Sequence, residues 1–83
     1  MEYRVSISLD AQGDIRSFQA YEQRIIIRSI RTCLTRDALV ETNCRKPLEP
    51  NQVGSWKLRV DIYRIFYDVE GAAVYITAVG YDE

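Results

Sequence analysis

Residues 54–70, GSWKLRVDIYRIFYDVE, decide how the rest of the chain reads. Trp56, Leu58 and Val60 alternate with Lys57, Arg59 and Asp61, and Tyr63, Ile65, Tyr67 and Val69 alternate with Arg64, Phe66 and Asp68. Successive side chains of a strand leave opposite faces, so a period of two marks a strand with one buried side. Two such runs with so short a link between them form a hairpin. Lys57, Arg59 and Arg64 all project from it within a few residues of one another. Cations held that close repel, and an anion lying across them relieves the repulsion. Phosphate is therefore the first ligand the hairpin suggests.

Outward from the hairpin, the chain alternates between the two periodicities. Tyr3, Val5, Ile7 and Leu9 alternate with Arg4, Ser6 and Ser8, predicting a strand that Asp10, Gln12 and Gly13 bring to an end. From Ala11 to Ala38 the apolar residues Ile15, Phe18, Tyr21, Ile25, Ile26, Ile30, Cys33 and Leu34 recur at three and four, the spacing of a helix face. About 28 continuous residues is long for one helix in so small a chain, and Gly13 with the weakly patterned segment 18–21 favours a break. An antiparallel helical hairpin is expected there. Thr42 to Val53, with Asn43, Pro47, Pro50 and Asn51, reads as a loop. Glu70-Gly71 signals a tight turn before a last strand, Val74 to Val79. The expected fold is α+β: a strand, a helical hairpin, then a three-stranded antiparallel meander, with the helices packed on one face of the sheet.

At 83 residues the chain has room for a single domain, 1–83. It contains no His, which removes Ser-His-Asp and Cys-His catalysis. Cys33 and Cys44 without a His do not make an ordinary zinc site, and they read as two free thiols. The four Gly residues are scattered, so no phosphate-cradling loop is formed. No metal and no cofactor is expected. Apolar runs are too short to cross a membrane, and MEYRVSISLD lacks a signal-peptide pattern, so a cytoplasmic protein is expected. The net charge of −1 and a pI of about 5.4 disfavour strong non-specific nucleic-acid binding.

The hairpin, of the form W-x-L-R-V-x-x-Y-R-x-F-Y-D-V, resembles the RelE/ParE superfamily of type II toxin–antitoxin toxins. The residues that carry the resemblance are Trp56, Leu58, Arg59, Val60, Tyr63, Arg64, Phe66, Tyr67, Asp68 and Val69. The preceding NCRKPLEPN and the closing YITAVGYDE, with its Val79-Gly80, extend it over nearly the whole chain. It implies a basic face that cuts messenger RNA on the ribosome without metal, neutralised by a cognate antitoxin. In-line attack by a ribose 2′-OH needs proton removal and stabilisation of charge at phosphorus. On the resemblance Arg64 is the catalytic-face arginine, Lys57 stands where RelE-like nucleases have a lysine, and Arg59 is the neighbouring framework arginine.

Two departures stand out. RelE-like chains generally follow Val-Gly with a Lys-Arg or His-Arg pair and then a catalytic Tyr; here Tyr81 and Asp82 follow. An acidic Asp82 would repel a phosphate, and Tyr81 is the candidate to replace the missing acid or base. The family's Gly-Asp turn is Asp61-Ile62 here. A nuclease centre that is incomplete or differently built is the expectation, of low or lost activity. Arg24, Arg28 and Arg31 share one helical stripe and could meet RNA or an acidic partner, or form the wet side of an amphipathic helix. Pairing with Asp61 and Asp68 is the alternative for the hairpin cations. Tyr3, Tyr63, Tyr67, Tyr75 and Trp56 read as packing residues of the sheet. Two other functions remain open: a non-catalytic module that binds an amphipathic segment, and a gyrase poison of the ParE branch. The oligomeric state is left open.

Overall fold

The computed structural model describes residues 2–49 and 54–82. Strand β1 (Arg4–Ile7) leads into helices α1 (Leu9–Arg16) and α2 (Ala20–Leu34), followed by strands β2 (Arg45–Pro47), β3 (Trp56–Val60), β4 (Tyr63–Glu70) and β5 (Ala73–Tyr81). They form one five-stranded sheet in the order β1-β5-β4-β3-β2, antiparallel except where β1 runs parallel to β5. The α+β class, the two helices and the β3-β4-β5 meander are as the sequence predicts.

The helix-side face of the sheet carries Leu58, Tyr63, Ile65, Tyr67, Val74, Ile76 and Val79, all buried. Ala11 and Ile15 from α1, Phe18 from the link between the helices, and Ile26, Ile30 and Leu34 from α2 close over them. Each large side chain fully removed from water there stabilises the fold by about 1.5–3 kcal/mol. Trp56 is half-buried and stacks on its cross-strand partner Tyr67 at 6.2 Å between ring centroids. The Tyr67 hydroxyl donates 2.7 Å to the carbonyl of Ala38, which satisfies both buried groups.

Helix α1 begins because Ser8, in extended conformation, accepts the Ala11 N–H at 3.0 Å with its side chain. It then covers an edge. Where β1 ends, β5 continues without a neighbour on that side, and the Asp14 carboxylate accepts the Val79 N–H at 2.9 Å in place of a strand. The β4–β5 ladder slips between Phe66 and Tyr67, giving β5 one extra residue, Thr77. Gly54 passes close by: a Cβ there would lie 2.9 Å from Thr77 Oγ1 and 3.1 Å from the Tyr67 backbone nitrogen. Asp61 (φ 54°) and Gly71 (φ 56°) take the left-handed conformation in the two hairpin turns.

Several expectations need correction. β1 stops at Ile7, and Leu9 is exposed as the first residue of α1, because the Ser8 cap turns the chain before the alternation runs out. The helices break at residues 17–19, and Gly13 lies inside α1. Tyr21 and Tyr75 are exposed where packing was expected. The supposed loop from Thr42 to Val53 contains β2, which makes the sheet five-stranded; Pro50 to Val53 lie outside the described residues. β5 runs past Val79 to Tyr81. Cys33 and Cys44 are free thiols, half-buried and exposed respectively. Among the described residues no helix is long and apolar enough to cross a membrane.

Candidate anion-binding face

The sheet face turned away from the helices holds the cations of the hairpin. Lys46 stands opposite Lys57 across β2–β3, and Arg59 stands opposite Arg64 across β3–β4. Alternation puts all four on one side, since their neighbours Arg45, Leu58, Tyr63 and Ile65 are buried on the other. The expected convergence of Lys57, Arg59 and Arg64 is therefore present. Lys46 joins them, which the sequence reading missed. β2 is only three residues long, too short for a period of two to show.

Arg64 is half-buried between Phe66 and Gly80. Its guanidinium carbon lies 5.4 Å from the centre of the Phe66 ring, a cation–π contact that holds the side chain in place. Gly80 is its cross-strand partner on β5, and a Cβ there would sit 3.6 Å from Arg64 Nε, an ordinary van der Waals contact. Among the described residues Arg64 Nε is buried without a hydrogen-bond partner, and Arg64 makes no ion pair. A buried donor without an acceptor is uncommon, and Arg45 Nε on the other face is left in the same way.

Lys57 and Arg59 are differently placed. The alternative, pairing with Asp61 and Asp68, does not occur among the described residues. Asp68 instead accepts hydrogen bonds from the N–H and hydroxyl of Ser55, at 2.7 and 2.6 Å, and Asp61 sits in the turn. Their counterion is Asp82, with Lys57 Nζ 3.4 Å from one carboxylate oxygen and Arg59 Nε 4.0 Å from the other. A cleft of about 290 Å³ between Asn43, Cys44, Lys46, Lys57, Arg59 and Asp82 opens at this point.

Tyr81 lies on the opposite face. It pairs with Tyr63 across β4–β5, and both rings pack against Phe18, at 5.0 and 5.6 Å. Both hydroxyls donate to the buried carboxylate of Glu22, Tyr63 at 2.8 Å and Tyr81 at 3.1 Å, while Glu22 also accepts the Gln19 N–H at the start of α2. The Tyr63 hydrogen bond holds the Glu22 carboxyl below its ordinary value of 4.5, outweighing burial. Desolvation, and then the carboxylate, raise the Tyr81 hydroxyl above 10.0, so it stays protonated near neutrality. The structure thus separates Tyr81 from Arg64 by the thickness of the sheet.

A pH prediction follows from this cluster. A depressed Glu22 stabilises the fold above pH 4.5, and that contribution is lost as pH falls through the folded-state value. Tyr63 is shifted upward, chiefly by burial, so its contribution is complete below pH 10 and is lost as pH rises above that. Melting temperature measured against pH is expected to fall on both sides of this window. In Glu22→Gln the acid limb should flatten; an unchanged acid limb would show that other carboxylates control it.

Arg24, Arg28 and Arg31 are exposed on α2 and line an open groove with Ala20, Gln23 and Ile27. Because α2 buries its other side on the sheet, this stripe lies across the molecule from Arg64. The structure does not bring the two basic regions together.

No family model matches this chain, nor does any curated protein. Among solved structures it matches a chain from the crystal structure of the RelBE2 toxin–antitoxin complex of Mycobacterium tuberculosis. The TM-score is 0.85, over 98% of this chain and 99% of that one, at 22% sequence identity. The fold is RelE-like. In this chain the β3–β4 hairpin carries Lys57, Arg59 and Arg64 on the open face, β5 supplies Gly80, and Asp82 follows the end of that strand. Buried positions can keep the shape while identity falls, because a core tolerates many apolar exchanges of similar volume.

Proposed function

We propose that this chain is the toxin of a toxin–antitoxin pair, acting in the cytoplasm on ribosome-bound messenger RNA as a metal-independent endoribonuclease of the RelE type. The observation that carries this reading is Arg64: a half-buried cation with no ion-pair partner among the described residues, opposite Arg59 on the face it shares with Lys46 and Lys57. The fold shared with a chain of a toxin–antitoxin complex supports it.

In this reading Arg64 binds the scissile phosphate and polarises it. The ribose 2′-OH attacks phosphorus and gives its proton to water, the 5′-oxygen of the next nucleotide leaves and takes a proton from water, and a 2′,3′-cyclic phosphate remains. Charge builds on the non-bridging oxygens during attack, and a fixed guanidinium is worth most where charge develops. Lys57 and Arg59 support it electrostatically. Tyr81, protonated and turned to Glu22, has no part in this chemistry. Arg24, Arg28 and Arg31, on the far side, are placed to meet ribosomal RNA or an acidic segment of the antitoxin.

The test is primer extension on a messenger RNA incubated with purified ribosomes and the folded chain. New 5′ ends that appear only with ribosomes present support the reading; an intact message overturns it. A second reading has its own observation. With Tyr81 committed to Glu22 and Asp82 lying among the cations, the same face suits a non-catalytic module that binds a partner segment. An intact message together with tight capture of the cognate antitoxin would favour that module.

A further inference from the structure

We infer that Asp82 is an internal occupant of the phosphate seat: its carboxylate holds Lys57 and Arg59 in the cleft, and an incoming phosphate must displace it. This rests on the reading of the face as a phosphate site and adds the device that regulates access to it.

The geometry gives Asp82 the position of a ligand. It follows Gly80 by two residues and so shares the face of Arg64. Its side chain is only 18% exposed, against 52% for Arg59, so the carboxylate is the inner member of the pair. Its backbone is anchored independently, the Asp82 N–H donating to the Ile62 carbonyl at 2.7 Å. The carboxylate can therefore swing out by side-chain rotation while the strand end stays attached to the hairpin turn. Among the described residues, Lys46, Lys57 and Arg59 line the cleft against the single carboxylate of Asp82, so these side chains sum to a positive charge with Asp82 in place. A multiply charged phosphate gains more from three cations than a single carboxylate does. Asp82 thus attenuates binding without abolishing it, and weakly charged anions are excluded.

If the carboxylate occupies the seat about nine-tenths of the time, apparent affinity for an anion falls roughly tenfold. Inorganic pyrophosphate is the probe, titrated into wild type, Asp82→Asn and the double variant Asp82→Asn/Lys57→Gln, with amide chemical shifts as the readout. Asp82→Asn is expected to bind roughly tenfold more tightly than wild type, and the added Lys57→Gln to cancel the gain. Equal or weaker binding by Asp82→Asn overturns the inference. The wild type offers a measurement that needs no variant: at saturating pyrophosphate the Asp82 carboxylate carbon resonance should move as the ion pairs open. A resonance that stays put at saturation overturns the inference as well. Because RNA cleavage is not the readout, an absence of ribonuclease activity would sink the proposed function and leave this result standing.

Discussion

Replacing Arg64 by Ala is expected to lower ribosome-dependent cleavage by roughly 10²–10³-fold, the usual loss when one transition-state donor is removed. The fold should survive the change. Arg64 makes no ion pair among the described residues, and its contact with Phe66 contributes only about 0.5–1 kcal/mol at an accessible site. Activity and stability should therefore separate, with a nearly unchanged melting temperature beside a large loss in rate. The same contrast is expected in growth: arrest on induction of the wild type and none with Arg64→Ala at equal soluble protein. Arrest by both would remove Arg64 from the mechanism. Arg64→Lys is expected to recover only part of the rate, since an ammonium keeps the charge but lacks the planar fork that meets two phosphate oxygens.

Arg45→Met should have the largest effect on stability, about 2–3 kcal/mol, because it leaves two part-buried carbonyls without the donors that now satisfy them. Arg45 is 8% exposed, and its guanidinium donates to the Cys33 carbonyl at 2.8 Å and to the Val40 carbonyl at 3.1 Å. Cys33 lies in the last turn of α2, where the carbonyls have no partner further along the helix and the dipole is negative. Among the described residues no carboxylate pairs with Arg45, so the helix end takes the place of a counterion. Methionine keeps most of the stem's packing and avoids burying a charge, which sets the upper bound on the loss. For a chain of this size the expected fall in melting temperature is roughly 10–20 °C. Urea unfolding of the two proteins would measure it, and a shift below about 0.5 kcal/mol would mean that water replaces the guanidinium.

Much of the candidate site was legible because strands carry their information locally. In Trp56–Val60 and Tyr63–Glu70 a residue's face follows from counting by two, so the convergence of Lys57, Arg59 and Arg64 could be read before any coordinates. The same count, carried through Val79 and Gly80, would have placed Tyr81 with the core and Asp82 with the cations. Nothing in local charge alone says so, and Asp82 reads as a repulsive neighbour until its partners are known. Lys46 and Arg45 were out of reach for another reason. A strand of three residues between Asn43 and Pro50 shows no period, and only pairing with β3 makes it a strand.

What the sequence by itself determined, then, is the order of the two helices and the four longer strands, the buried face of the hairpin strands and the presence of a cationic hairpin. All three depend on the spacing of apolar and charged residues, a local property fixed by 3.6-residue and two-residue periods. Only the tertiary structure decided which charges meet. It turned Glu22 to Tyr63 and Tyr81, set Arg45 against the end of α2 and seated Asp82 between Lys57 and Arg59. These contacts join residues 12 to 59 positions apart in the chain. Charge pairing at such separations depends on how the sheet and helices bring distant segments within a few ångströms, where Coulomb attraction and hydrogen bonding become strong enough to choose a partner.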